Sequence, residues 1–169
     1  MSSDTDFRLS FEFFPPKTDI GREKLQNVRA TLNQLEPDFF SVTYGAGGST
    51  RDNTKRIITD MKKEGLPVAP HLSFGGDDEE TMLQLLQEYK DLGVDRIVAL
   101  RGDMPSGIGG AYHLVYANQL VAFIRTHFGD HFHLEVAAYP EIHPEAKSYD
   151  DDVKYLKGNL MNEKVIQPA

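Results

Sequence analysis

The sequence contains no cysteine, and this absence removes several classes of chemistry. A chain without thiols forms no disulfide framework, binds no metal through thiolates and has no cysteine nucleophile. The first six residues, MSSDTD, are short, polar and acidic and do not resemble a signal peptide. We therefore expect a cytoplasmic protein, an expectation that the lack of cysteine supports only weakly.

Long apolar runs and an excess of positive charge are also missing. No apolar run approaches the roughly 20 residues that a helix needs to span a bilayer, so we expect no membrane segment. The net charge is −8, from 18 basic and 26 acidic residues, which argues against a general surface for nucleic acid or anionic lipid. A hydrophobic fraction of 40% over 169 residues is instead ordinary for one soluble domain with a real core.

Short apolar runs alternate with longer amphipathic segments along the chain. The apolar runs predict strands at 9–14, 38–44, 68–74, 96–100 and 133–139. The amphipathic segments predict helices at 22–35, 51–64, 78–92 and 112–127. This repeated βα unit indicates an α/β fold with a parallel sheet, either open and doubly wound or part of an eight-stranded barrel. The periodicity does not choose between these two.

Several single residues agree with the predicted ends of the helices. Gly65 and Gly93 fall just past two helices, where a left-handed C-cap favours glycine. Asp77 or Asp78 is placed to cap the start of the third helix. These positions support the assignment of the repeat.

The unusual polar residues fall at or near the carboxyl ends of the predicted strands. They are Glu12, 43–50, His71, 101–103 and 139–143. Both candidate architectures bind ligands at the carboxyl ends of their parallel strands. We therefore expect the chemistry at this rim.

Glu12 lies in the first strand among three phenylalanines, in the segment SFEFFPPK. A carboxylate buried in an apolar strand is costly unless it is paired or neutral, so a buried Glu12 would keep its proton and serve as a proton donor. The alternative is that Glu12 points to solvent on an alternating strand. The segment by itself favours neither reading.

The segment TYGAGGST, residues 43–50, joins the second strand to a helix. Its glycines would let the backbone approach a ligand near the free N–H groups of the helix. It lacks the Gly-Lys-Ser/Thr of a P-loop and the third glycine of a dinucleotide fingerprint. A flexible turn capped by Ser49 or Thr50 is the alternative.

The remaining polar motifs each allow a structural and a functional interpretation. Arg101 suits phosphate recognition and Asp103 could accept hydrogen bonds from a heterocycle, or the two could brace a turn as an ion pair. Residues 137–146 predict a rigid aromatic loop or a proline-stiffened connector. His71 has no nearby histidine, and a turn separates His127 from His131, so no metal site is predicted.

Together these segments resemble the methylenetetrahydrofolate reductase family, of the bacterial type that holds a flavin in a βα barrel. The resemblance is carried, in the family's order, by SFEFFPPKT, FSVTYGAGGSTRDNT, PHLSF, ALRGDMPSG and AAYPEIHPEAKS. It implies a (β/α)8 TIM barrel of which residues 1–169 form one partial domain, with about the first five βα units present. Full-length members of the family imply a homo-oligomer.

The resemblance implies an enzyme that binds FAD and takes hydride from NADH or NADPH. It would reduce 5,10-methylenetetrahydrofolate to 5-methyltetrahydrofolate for methionine synthesis. Glu12 would be the general acid that opens the five-membered ring, Asp103 would shape flavin reactivity and folate binding, and Tyr44 would stack on folate or nicotinamide. The positions that match FAD contacts are Thr43, His71, Arg101, Gly102, Asp103, Tyr116, Ala117, Tyr139, His143, Ala146 and Asp152.

The resemblance stops near Lys157. Residues 158–169 form an atypical tail in which Gly158 and Asn159 replace basic residues of the family, and the later strands, the folate-binding glutamine and the aromatic loop have no counterpart. We expect a chain truncated at its C-terminus and hypothesise a shifted reading frame near Lys157. The alternative function is a non-catalytic remnant that binds FAD weakly or self-associates. The alternative of an unrelated nicotinamide-binding sheet is rejected, because the sequence lacks the glycine fingerprint and a downstream ribose-binding acid.

Overall fold

The computed structural model describes residues 8–44, 48–74, 78–102, 116–139, 141–143 and 146–161. Strands and helices alternate along these residues. The strands are β1 (Ser10–Phe13), β2 (Phe39–Val42), β3 (Val68–Leu72), β4 (Arg96–Ala99) and β5 (His133–Val136). The helices are α1 (Asp19–Asn33), α2 (Gly48–Lys63), α3 (Glu79–Asp91), α4 (Ala117–Phe128) and α5 (Tyr149–Met161). All five predicted strands and all four predicted helices are present, and α5 is a helix that the periodicity did not predict.

The strands pair in parallel in the order β1-β2-β3-β4-β5. This confirms the predicted α/β class. A doubly wound sheet reverses its strand order at a switch point, whereas a βα barrel adds each strand beside the previous one. The sequential order therefore favours the barrel type of topology, which the periodicity had left undecided.

The chain divides into two compact units, Met1–Pro70 and His71–Ala169. In the first unit the rings of Phe13 and Phe40 stack at 5.5 Å between centroids. Helix α2 buries Ile58 and Met61 completely. The aliphatic and aromatic side chains of β1, β2 and α2 thus supply the core of this unit.

Helix α1 contributes an ion pair rather than apolar side chains to the packing of the first unit. Its only buried residue is Arg29, whose guanidinium forms a salt bridge with Glu64 just past the end of α2. Its N-terminus is capped by Thr18, which accepts a hydrogen bond from the N–H of Gly21 at 3.1 Å. The apolar side chains of Ile20 and Val28 on α1, and of Leu35 just after the helix, are exposed.

In the second unit, α3 and α4 supply most of the core. The fully buried side chains include Met82, Leu86, Tyr89, Leu120 and Ile124. The predicted helix ends are confirmed here. The carboxylate of Asp78 accepts from the N–H of Thr81 at 2.8 Å at the start of α3, and Gly93 has a φ of 76° after its end.

Among the described residues, no helix has the length and apolar character that a membrane crossing requires.

Candidate active site

Glu12 is exposed, so of the two readings that the sequence left open the structure favours the one in which Glu12 points to solvent on an alternating strand. Successive side chains of a strand point to opposite faces. Phe13 is therefore buried against Phe40, while Glu12 lies on the other face of β1, in register with Ser41 of β2. The phenylalanines that flank Glu12 in the sequence do not enclose it.

The backbone of Thr43 is held from two directions at the carboxyl end of β2. Its N–H donates to the carbonyl of Phe13 at 2.9 Å, which extends the pairing of β1 and β2 beyond Val42. Its carbonyl accepts from the hydroxyl of Thr54 at 2.9 Å, and Thr54 is completely buried on α2. Breaking these hydrogen bonds would leave polar groups unsatisfied, so we expect the backbone of Thr43 to keep its position.

Tyr44 follows Thr43 and is half-buried. Its hydroxyl accepts a hydrogen bond from Nε of Arg51, in the first turn of α2, at 2.9 Å. The predicted strand–loop–helix arrangement is present, since β2 ends at Val42 and α2 begins at Gly48. Residues 45–47 lie outside the described part of the chain, and so do the side chains of Ser49 and Thr50, so the predicted cap stays a prediction.

His71 lies on β3 in the second unit and is 8% exposed. It is in register with Val98 of β4. This places the ring near the end of its strand, as the sequence indicated. No group of three or more metal-binding side chains occurs among the residues that the structure describes, and His71 is accordingly not part of one there.

Arg101 and Tyr116 contact each other in the second unit. The guanidinium carbon lies 5.6 Å from the centroid of the Tyr116 ring, the distance of a cation–π contact. Both side chains are exposed, and Gly102 beside them is buried. Asp103 lies outside the described residues, so the predicted alternative of an Arg101–Asp103 ion pair is not described either.

Tyr116 also marks the start of α4. Its N–H donates to Oε1 of Gln119 at 2.9 Å, and Ala117 is the first residue of the helix. The sequence reasoning singled out Tyr116 and Ala117 but missed Gln119. A polar side chain three residues after a helix start was the signal that identifies it.

The loop after β5 is held by its own contacts. The rings of Tyr139 and His143 meet edge-to-face at 4.7 Å between centroids. The N–H of His143 donates to the carboxylate of Asp152 on α5 at 3.1 Å, and its carbonyl accepts from the N–H of Ala146 at 2.9 Å. Ile142 has a φ of 74°, a conformation that β-branched residues rarely adopt. Pro140, Pro144 and Glu145 lie outside the described residues, so the choice between a rigid aromatic loop and a proline-stiffened connector stays a prediction.

The candidate residues thus fall into two separate groups. The first unit holds Glu12, Thr43 and Tyr44 at the ends of β1 and β2. The second unit holds the Arg101–Tyr116 pair, and it holds the loop contacts that join Tyr139, His143, Ala146 and Asp152. Within its own unit, every described candidate lies on a strand, after a strand or near the start of the following helix.

Comparison with known proteins decides the family. The family model for methylenetetrahydrofolate reductase matches residues 1–162 of the chain. The chain belongs to the methylenetetrahydrofolate reductase family. The resemblance drawn from the five sequence segments is confirmed.

Curated relatives of this family match nearly the whole chain. A 5,10-methylenetetrahydrofolate reductase of Pectobacterium carotovorum subsp. carotovorum is 45% identical over 153 residues, which are 90% of this chain and 50% of the relative. The Escherichia coli (strain K12) protein of the same name is 43% identical over 88% of this chain and 49% of its own length. An Arabidopsis thaliana methylenetetrahydrofolate reductase (NADH) 1 is 37% identical over 88% of this chain and 28% of its own length. The chain spans about half the length of the bacterial relatives that it matches.

Proposed function

We propose that the chain carries the flavin-binding part of a 5,10-methylenetetrahydrofolate reductase and uses NADH or NADPH as electron donor. The family match over residues 1–162 carries this proposal. It is supported by the position of the described candidate residues at the carboxyl ends of parallel strands, where βα barrels place their active sites. We further propose a cytoplasmic homo-oligomer that serves methionine synthesis.

The exposed groups of the second unit fit FAD. Arg101 presents a planar cation beside an aromatic ring, a combination suited to a pyrophosphate and an adjacent ring. The loop after β5 offers Tyr139 and His143 with their relative orientation fixed. The other residues proposed to hold the cofactor are Thr43, His71, Gly102, Asp103, Tyr116, Ala117, Ala146 and Asp152.

When bound, FAD would supply the hydride-transfer chemistry between the nicotinamide and the folate. The protein would supply position and protons. Glu12 would donate the proton that opens the five-membered ring of the folate, Tyr44 would stack on a planar ring, and Asp103 would bind the folate. Because Glu12 is exposed in this structure, we expect the ligand itself to exclude water from the carboxyl group during proton transfer.

A second candidate function is a non-catalytic remnant that binds FAD weakly or associates with further copies of itself. The exposed side chains of α1 and its vicinity favour it. Ile20 is 69% and Leu35 is 59% exposed, and a shallow groove on α1 is lined by Asn27, Val28, Thr31 and Leu32. In the described sheet, β1 and β5 each have one paired neighbour, and open strand edges promote association.

Flavin retention separates the two candidates. The full chain is purified with added FAD and passed through gel filtration, and the flavin absorbance of the monodisperse peak is recorded. A yellow peak that NADH or NADPH bleaches without oxygen, and that 5,10-methylenetetrahydrofolate then reoxidises, supports the reductase. A colourless or aggregated product contradicts it and favours the remnant.

A matched pair of variants localises the cofactor. Arg101→Ala removes the proposed phosphate ligand and is expected to weaken FAD binding about 10- to 100-fold, the usual effect of losing a charge-assisted hydrogen bond. Arg56→Ala removes an exposed arginine of α2 and is the control. Equal FAD retention by both variants would contradict the role of Arg101.

A further inference from the structure

The hydroxyl of Tyr44 is bound by Arg51, a residue of the segment FSVTYGAGGSTRDNT to which the proposed site assigns no role. Arg51 donates from Nε to this hydroxyl at 2.9 Å. A donation from Nε uses the inner edge of the guanidinium plane, so the contact depends on the orientation of the whole arginine side chain. Both side chains are half-buried, which limits competition from water.

The backbone beneath Tyr44 is also fixed. Thr43 bonds to Phe13 of β1 through its N–H and to the buried hydroxyl of Thr54 through its carbonyl. With that backbone held, the remaining freedom of the tyrosine ring lies in its two side-chain torsions. The bond to Arg51 restrains the far end of the ring and therefore both torsions.

Arg51 and Thr54 project from consecutive turns of one helix. Helix α2 is anchored in the core of the first unit by Ile57, Ile58 and Met61, which are at most 3% exposed. The two hydrogen bonds therefore connect the end of β2 to a well-packed element. A ring held in this way loses less conformational entropy when a ligand stacks on it.

We propose that Arg51 is a positioning residue, which fixes the ring of Tyr44 as a platform for the planar ring of a folate or a nicotinamide. This inference rests on the proposed function. It adds that Arg51 acts through the tyrosine hydroxyl rather than by touching the ligand. Loss of the restraint is expected to weaken ligand binding about 2- to 10-fold, because ordering one such side chain on binding has a cost of this size.

Four proteins test the inference: the full chain and its Arg51→Met, Tyr44→Phe and doubly substituted variants. Arg51→Met removes the donor and keeps an unbranched side chain, while Tyr44→Phe removes the acceptor and keeps the ring. Dissociation constants of NADH and of 5-methyltetrahydrofolate are measured at saturating FAD, with flavin absorbance recorded so that loss of cofactor is detected separately. Arg56→Met on the same helix is the control.

Each single substitution is expected to raise the dissociation constant of the stacking ligand about 2- to 10-fold. The double variant is expected to have the same dissociation constant as the single variants, because both substitutions break the same hydrogen bond. Additive losses would overturn the inference, because Arg51 would then act independently of the hydroxyl. An unchanged dissociation constant in Arg51→Met would also overturn it. A wild-type chain that takes up no FAD would overturn the proposed function and this inference with it.

A direct measurement of the ring excludes a merely structural effect. The chain has seven tyrosines, so 3-fluorotyrosine labelling followed by ¹⁹F NMR gives few signals, and Tyr44→Phe assigns the one of interest. Arg51→Met is expected to narrow or shift the Tyr44 signal and leave the other six in place. A Tyr44 signal that is unchanged by Arg51→Met would refute the restraint itself.

Discussion

Replacing Thr54 with valine tests whether the end of β2 is held by one buried hydrogen bond. The substitution keeps the shape of the side chain and removes the hydroxyl that donates to the carbonyl of Thr43 at 2.9 Å. Thr54 is completely buried, so the isosteric valine occupies the same space, and the half-buried carbonyl of Thr43 loses this donor.

The expected loss of stability is about 1–2 kcal/mol. A typical hydrogen bond contributes roughly 0.5–1.5 kcal/mol net, and an acceptor left unsatisfied raises the cost toward 1–3 kcal/mol. Added apolar burial by valine offsets a small part of this loss. For a chain of this length such a change lowers the midpoint of thermal unfolding by about 2–6 °C.

Urea unfolding followed by circular dichroism measures the difference. Thr59→Val is the matched control, because the hydroxyl of Thr59 donates to the carbonyl of Lys55 within the same helix, where helical bonding already uses that carbonyl. Thr54→Ser, which keeps the hydroxyl, should recover part of the loss. Equal stabilities of Thr54→Val and Thr59→Val would refute the reasoning.

Two further substitutions test the helix attachments. Glu64→Ala leaves the buried guanidinium of Arg29 without its carboxylate and should lower the free energy of unfolding by about 1–2 kcal/mol, less than for a fully buried pair because the Glu64 side chain is 37% exposed. Glu23→Ala, at an exposed glutamate of α1, should leave the free energy of unfolding unchanged, and equal effects of the two substitutions would contradict the ion pair. The hydrogen bonds to Thr81 lower the pKa of Asp78 below 3.8, so its contribution to stability is present above that pH and is lost as pH falls through the folded-state pKa. Asp78→Ala should therefore destabilise the chain at pH 7 and lose that effect in strong acid, and a difference that persists there would refute the cap.

Local patterns predicted the secondary structure well because the relevant forces are local. Gly65 and Gly93 follow helix ends, and both have a φ of 76°, where glycine has no Cβ to clash. Helix α5 was missed because its apolar side chains do not form a clear stripe along one face; it carries three aspartates in its first turn. Charge favourable to a helix N-terminus was the signal that could have identified it.

The exposure of Glu12 stayed undecided in the sequence for a different reason. The sequence places phenylalanines on both sides of it, but alternation sends Phe13 to one face and Glu12 to the other. Whether that other face is covered depends on which elements lie beyond it, and a strand sequence carries little information on this. The position of each candidate along the chain, in contrast, follows from the βα repeat, so each described candidate lies on a strand, after one or near the start of the next helix in its own unit.

Residues that support the site escaped prediction because their partners are not adjacent in sequence. Thr54 lies eleven residues after Thr43, and Arg51 lies seven after Tyr44, so the sequence alone does not pair them and the hydrogen bonds appear only in the folded chain. This arrangement separates two kinds of substitution. Tyr44→Phe removes one half-buried hydroxyl and should weaken ligand binding with little effect on stability, whereas Thr54→Val should lower both stability and binding. A Thr54→Val variant that lost stability but bound FAD as tightly as the unchanged chain would show that the backbone position of Thr43 does not limit cofactor binding.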